Sequence, residues 1–174
     1  MKYNTLYIWI EGPTDFRFFN NILKPLFEKK HQRVEIKEYA WKKKDYIKNF
    51  LKSIDSMGDE YIFVQDFDSK RCITSVKENL ISTHHDLTEN SIDIVKDEIE
   101  SWYLAGLTSK DSKYFKIPYQ KNTETITKEI FDRQIPRKFD SKIDFTNEIL
   151  KRYSIDESIV RNNSFAHFFH KYFE

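Results

Sequence analysis

Apolar residues along this chain come in short runs, separated by charged stretches whose hydrophobic positions recur at helical spacing. Leu6-Tyr7-Ile8-Trp9-Ile10 is the first such run, of a length that suits a buried strand. It ends in Glu11-Gly12-Pro13-Thr14-Asp15. Gly12 permits an abrupt turn, and Pro13 suits the first position of a helix, where a missing N–H leaves no acceptor unsatisfied. Phe16, Phe19, Leu23, Leu26 and Phe27 then mark one face of a helix, which Pro25 is expected to kink or end near its last turn. Residues 33–39 alternate charged and apolar side chains, as a half-buried edge strand does. Lys42, Lys43 and Lys44 open the next helix, with Ile47, Phe50, Leu51 and Ile54 as its apolar stripe and Gly58 as its stop. Tyr61-Ile62-Phe63-Val64-Gln65 is a second buried strand, and it runs straight into Asp66-Phe67-Asp68. Val76, Leu80 and Ile81 predict a helix, His84-His85-Asp86 a loop, Ile92-Asp93-Ile94-Val95 a short strand, and residues 97–105 another helix.

Strands alternating with helices up to about residue 107 predict an α/β fold of three layers, α/β/α, around a mostly parallel, Rossmann-like sheet. Beyond Gly106 the pattern changes. Residues 108–125 are polar, contain Pro118 and read as loop, and residues 126–134 read as a short helix. Phe145, Ile149, Leu150 and Tyr153 mark a further helix with Asp144 as candidate cap, and Phe165, Phe168, Phe169 and Tyr172 mark a last one. The expectation is a single domain over 1–174: an α/β core at 1–107 and a helical extension at 108–174 packed on it.

Composition narrows the chemistry. Hydrophobic residues make up 39% and charged residues 33%, as in a water-exposed globular chain, while a net charge of +1 excludes binding of nucleic acid by bulk positive charge. Any such contact requires a local basic patch. The lone Cys72 excludes an internal disulfide framework and a multi-cysteine zinc site, and reads as a small buried residue in a reducing compartment. The first residues lack the long apolar stretch of a signal peptide, and no run approaches the ~20 apolar residues that span a bilayer, so the expected location is the cytoplasm. Three glycines leave no phosphate-cradling loop.

The chemistry-bearing residues sit at strand ends. Parallel strands of one sheet deliver their carboxyl ends to one rim, where open α/β sheets bind ligands. That places Glu11, Asp66 and Asp68 together, with Asp15 one helical turn beyond Glu11. Carboxylates converging in this way repel one another unless a hard cation such as Mg²⁺ neutralises them or some stay protonated. Ile8-Trp9-Ile10-Glu11-Gly12-Pro13-Thr14-Asp15 and Phe63-Val64-Gln65-Asp66-Phe67-Asp68 resemble the two motifs of the TOPRIM fold family, shared by topoisomerases, bacterial primases and OLD-type nucleases. The likeness spans residues 6–107 and is nearest to small stand-alone TOPRIM-like proteins of prokaryotes and to the catalytic half of OLD-type nucleases. Glu100, in Glu-Ser-Trp-Tyr-Leu-Ala, resembles the segment after the fourth strand of the small proteins. Ser69, Lys70 and Arg71 depart from the pattern, since many members carry a glycine or small residue there. The ATPase domain of OLD-type proteins and the DNA-gripping domains of topoisomerases have no counterpart in the chain.

The resemblance implies metal-assisted phosphoryl transfer, most simply a nuclease acting on DNA or RNA in a prokaryotic defence or toxin-like system, beside a separately encoded ATPase. Asp66 and Asp68 would hold Mg²⁺ or Mn²⁺, Glu11 would ligate a metal or act as general acid or base, Asp15 would complete a second metal site, and Glu100 is a further ligand candidate. Lys70 and Arg71, beside the proposed metals, are candidates for a substrate phosphate. Lys42, Lys43 and Lys44, with Trp41 before them, are candidates to grip a phosphate backbone, although such a run is more often a solvated helix start. Other residues also have a plainer role: Asp15 and Glu100 complement a helix dipole, and the histidines at 84, 85, 167 and 170 decorate a loop and a helix. Two other functions compete: a non-catalytic TOPRIM-like module that binds nucleic acid or a partner protein, and a sugar-nucleotide transferase using Asp66-x-Asp68. Glu-Gly-x-x-Asp has no part in the second.

Overall fold

Strand β1 (Thr5–Ile10) pairs on one side with β2 (Arg33–Glu38) and on the other with β3 (Glu60–Asp66), both in parallel. The computed structural model describes residues 5–67, 72–84 and 86–174. With β4 (Ile92–Val95) the sheet has four strands in the order β2-β1-β3-β4, all parallel, so the chain is α/β as its pattern predicts. β2 is the edge strand. β3 extends one residue further at each end than its apolar run, which makes Asp66 the last residue of the strand. By backbone packing the chain divides into two compact units, Met1–Ile94 and Val95–Glu174.

In the first unit, side chains of successive strand residues point to opposite faces of the sheet. Tyr7 and Trp9 of β1 and Tyr61 and Phe63 of β3 share one face. There they meet Ile47, Phe50, Leu51 and Ile54 of α3 (Lys44–Met57) in one apolar cluster, with the Phe50 ring set edge-on to Tyr7 and Trp9, each at 5.2 Å. Leu80 and Ile81 of α4 (Ile73–Thr83) join the same cluster. Leu6, Ile8, Ile10, Ile62 and Val64 face the other way and are equally buried. Because β1–β2 and β2–β3 connections run in opposite directions along the sheet, right-handed crossovers put their helices on opposite faces.

The helix after β1 is built in three parts: α1 (Pro13–Phe18), a π-helical turn (Phe19–Leu23) and α2 (Lys24–Phe27). Pro25 therefore does not end the helix where it stands. Its ring and missing N–H are accommodated at the start of α2, directly after the widened π turn. The widening also changes the inward face. Phe18, Phe19, Leu23 and Phe27 are buried, whereas Phe16, expected inside, is exposed. α3 stops at Gly58, whose φ of 66° lies in the left-handed region that glycine enters without a Cβ clash.

The second unit is helical: α5 (Glu100–Ala105), α6 (Ser109–Phe115), α7 (Lys128–Gln134), α8 (Lys142–Leu150), α9 (Ile155–Arg161) and α10 (Asn163–Phe173). Phe115, Phe131 and Phe145 pack as neighbouring rings, and Trp102 stands edge-on to Phe165 at 5.2 Å. Two elements depart from the expected pattern. Residues 109–115 form a helix rather than loop because the Thr108 hydroxyl accepts the Asp111 N–H and starts it. α9 was absent from the periodicity, as only Ser158 and Arg161 of it are buried and both are polar. α8 is capped by Ser141, not Asp144: the hydroxyl accepts the N–H of Asp144, three residues on, which is the reach a cap requires. α5 starts at Glu100 rather than Asp97, whose φ of 58° is non-helical.

Arg161 and Asn162 hold this unit's loops. The Arg161 guanidinium, 4% exposed, donates to the carbonyls of Ala105 (2.9 Å), Leu107 and Gln120 (2.7 Å) and lies over the Tyr119 ring. Asn162, fully buried, accepts the Phe165 N–H at 2.9 Å and donates to the Ser101 and Thr123 hydroxyls at 3.2 Å.

Candidate functional site

Sheet topology selects one place in the first unit. From β1 the chain moves outward to β2, then returns across β1 to β3, so the winding reverses between β1 and β3. Ligands of open α/β sheets bind outside the carboxyl ends of the strands at such a reversal. The parallel register pairs Leu6 with Glu60 and Trp9 with Phe63. Glu11 follows Trp9 by two residues and Asp66 follows Phe63 by three, so both carboxylates stand at the same rim on either side of the reversal. Glu11 is exposed and Asp66 half-buried.

Asp15 is fixed by the turn. It occupies the third position of α1, is buried, and its Oδ2 accepts the N–H of Gly12 at 3.2 Å. This is half of a capping box: a carboxylate reaching back to a backbone donor that the helix leaves unsatisfied. Gly12 has open space around it and an extended backbone, so the glycine is required neither by a close contact nor by a left-handed conformation.

Tyr39 ties these groups together. Beyond β2 the chain folds over the end of β1, the N–H of Tyr39 donating to Ile10 O at 2.9 Å and that of Ala40 to Glu11 O at 3.3 Å. The Tyr39 ring stacks on Phe63 with 4.5 Å between centroids, and its hydroxyl donates to Gln65 Oε1 at 2.9 Å. Burial first, and then the charges of Glu11, Asp66 and Asp15, hold the phenol far above its ordinary range. One neutral hydroxyl thus lies in the field of all three carboxylates.

The structure accordingly brings Glu11, Asp15 and Asp66 to one rim. Asp68, Lys70 and Arg71 lie outside the described residues, as does His85. Glu100 belongs to the second unit, where it is buried and paired with Lys142 at 2.7 Å; Lys142 also reaches Asp132 at 2.8 Å. Burial works against the Lys142 ammonium, but its bonds to Asp132 and Glu100 prevail and its pKa is raised. Glu98 accepts the Lys128 N–H, and burial pushes its pKa up. Cys72 is exposed rather than buried, because it serves as the cap of α4, its Sγ accepting from Ser75 N at 3.4 Å. His84 is buried beside the Phe63 ring, and His170 pairs with Glu174.

Carboxylate oxygens are donors that suit a hard cation such as Mg²⁺. Among the described residues, no three His, Cys, Asp or Glu side chains group closely enough to hold an ion. The pattern of residues missed Tyr39 and Gln65, and the only sign of them was their position at strand ends beside the two motifs. Among the described residues, no helix is long and apolar enough to cross a membrane. No protein-family model, curated protein or solved structure matches the chain.

Proposed function

We propose that this chain is a metal-dependent phosphoryl-transfer enzyme, a nuclease that hydrolyses phosphodiester bonds of DNA or RNA with Mg²⁺ or Mn²⁺ as cofactor. The observation that supports the reading most is the topological reversal itself. It carries Glu11 and Asp66 at the carboxyl ends of adjacent parallel strands, with Asp15 in the same field at Tyr39. Asp66 and Asp15, with Asp68 from the same motif, would hold the cation. When bound, it neutralises the clustered charge, stabilises charge developing on the phosphate and lowers the pKa of an attacking water.

The chain's own residues have separable parts in this reaction. Glu11 is solvent-accessible and takes the proton as the water oxygen attacks phosphorus. The bond to the leaving sugar oxygen breaks, and that oxygen takes the proton that Glu11 received, directly or through solvent, which restores the carboxylate. Tyr39, kept neutral and bonded to Gln65, holds the end of β3 against the turn after β2. The same reading includes a cytoplasmic location and a separately encoded ATPase as partner.

Incubation with single- and double-stranded DNA and RNA in Mg²⁺, Mn²⁺ or EDTA tests the proposal. Cleavage should need the metal and fall at least ~100-fold in Glu11→Gln, the scale of a lost general base. Undiminished cleavage by an Asp66→Asn, Asp68→Asn double variant would remove the proposal. A second reading, a non-catalytic module that binds nucleic acid, is favoured by one observation: an oxygen of Asp15 is already engaged by Gly12 N–H. Binding that is equal in EDTA and never leads to cutting would select it.

A further inference from the structure

Beside the carboxylates, the chain leaving β2 forms a cleft of about 360 Å³, lined by Phe16, Ile36, Lys37, Trp41, Lys42 and Tyr46 together with Trp9 and Glu38. Three of its aromatic rings are open to solvent: Phe16 is 38%, Tyr46 46% and Trp41 81% exposed. Trp9 and Trp102 are buried to within 1%, so Trp41 stands apart from both. It follows Ala40, which bonds to the Glu11 carbonyl, and Phe16 follows Asp15, so the cleft borders the rim that carries the acids. The surrounding charge is positive. Residues 37–45 contain four lysines against Glu38 and Asp45; Lys37 is paired with Glu35 at 2.5 Å, and the Lys42 ammonium lies 5.4 Å from the centre of the Tyr46 ring.

We infer that this cleft is a stacking platform for single-stranded nucleic acid, which feeds the strand to the carboxylate rim. The inference rests on the nuclease reading and names its substrate class. Exposed aromatic rings interleaved with lysines are the combination that holds an unpaired strand: bases stack on the rings while ammonium groups follow the phosphates. A duplex presents no free base face to Trp41. The lysines supply, locally, the positive charge that a net charge of +1 denies to the chain as a whole.

Fluorescence anisotropy of a dye-labelled oligonucleotide titrated with the full chain in EDTA tests this, since nothing is cut and the signal does not come from the tryptophan being replaced. An oligothymidylate of about twelve nucleotides, comparable in length to one site on a small single-strand binder, should gain anisotropy as it binds, and a duplex of that length should not. Trp41→Ala should weaken binding about 5- to 100-fold, the range set by one lost stacking contact, while Trp41→Phe keeps most of it. Replacing Lys42, Lys43 and Lys44 together by Ala should reduce the slope of log K against log salt by about 2. Trp41 is exposed, so Trp41→Ala should melt at the wild-type temperature. Equal affinity of wild type and Trp41→Ala, equal binding of the duplex, or no binding of the oligonucleotide would overturn the proposal. So would a Trp41-dependent protein complex formed by a chain that ignores the oligonucleotide. Because the titration omits metal, its failure leaves the nuclease reading intact, and a chain that binds but never cuts removes that reading while keeping the platform.

Discussion

Asp15 has two separable roles, and a pair of substitutions divides them. Its Oδ2 accepts the Gly12 N–H at 3.2 Å, and its negative charge adds to that of Glu11 and Asp66 around Tyr39. Asp15→Ala removes both. The lost capping bond costs about 1 kcal/mol, and the lost favourable charge at the start of α1 adds a few tenths, for about 1–2 kcal/mol in all. At about 2–4 °C per kcal/mol for a chain of this size, the melting temperature should fall by about 2–8 °C. Asp15→Asn keeps an oxygen in the same place, so the bond survives while the charge goes. Its stability should stay within about 0.5 kcal/mol of wild type, since relief from Glu11 and Asp66 offsets the weaker dipole interaction. Thermal melts with and without Mg²⁺ report both roles at once. A cation present at ten times its Kd stabilises the wild type by about 1.4 kcal/mol, and that gain should shrink in Asp15→Asn. If Asn and Ala destabilise equally, the charge rather than the bond maintains the turn. If Asp15→Asn keeps the full metal-induced gain, Asp15 is a cap and nothing more.

Two further outcomes follow from packing and burial. Gly106 has φ −78° and ψ −3°, a conformation open to any residue, but an added methyl would overlap the Tyr153 ring, whose Cγ would lie 2.7 Å away. Tyr153 is held by bonds to Trp102 O and from the Ser158 hydroxyl, so Gly106→Ala should cost about 2–3 kcal/mol by denaturant melt, and much less in a Tyr153→Ala background. Equal cost in both backgrounds would show that the ring is not the obstacle. His84 is buried, and burial first and the Lys44 ammonium second lower its pKa. Its native form therefore binds fewer protons than the unfolded chain below about pH 6.5, so stability should decline as pH falls from there towards the folded-state pKa. His84→Gln should flatten that part of the profile between pH 7 and 5, and an unchanged slope would assign it to other groups.

The parallel sheet was readable because three strands are short apolar runs, the edge strand β2 alternates charged and apolar residues, and each connection carries a helical stripe, so pattern and topology agree. Register along β1 and β3 then follows from burial, and Glu11 and Asp66 reach the rim without any further information. What the pattern could not give are features set by three-dimensional neighbours. Tyr39 looks like the end of an alternating strand, and its place among three acids depends on how the chain turns over β1. Phe16 fits the helical stripe as well as Phe19 does, and only the π turn puts it outside. α9 is stabilised by Arg161 bonding to distant carbonyls, a polar interior that hydrophobic periodicity does not register. Glu100 carries a motif-like context, yet its carboxylate is matched to Lys142, which is 42 positions away in sequence.

The near-neutral charge of the chain bears on how the two surfaces at the rim work together. Glu11, Asp15 and Asp66 make the end of the sheet negative, and a phosphate backbone approaching it is repelled over roughly a Debye length, about 8 Å at physiological salt. Acids alone therefore cannot collect a nucleic acid, and a bound divalent cation would offset most of their charge without supplying attraction. Grip has to come from a neighbouring surface that does not depend on the acids. In the proposed nuclease, stacking on Trp41 would meet that need because base–ring contact is insensitive to phosphate charge, and Lys42, which lines the cleft, with Lys43 and Lys44 next in sequence, would add attraction. Separating the two tasks has a further consequence. In the proposed enzyme the acids would not have to bind substrate themselves, and the platform would hold a strand in the absence of metal.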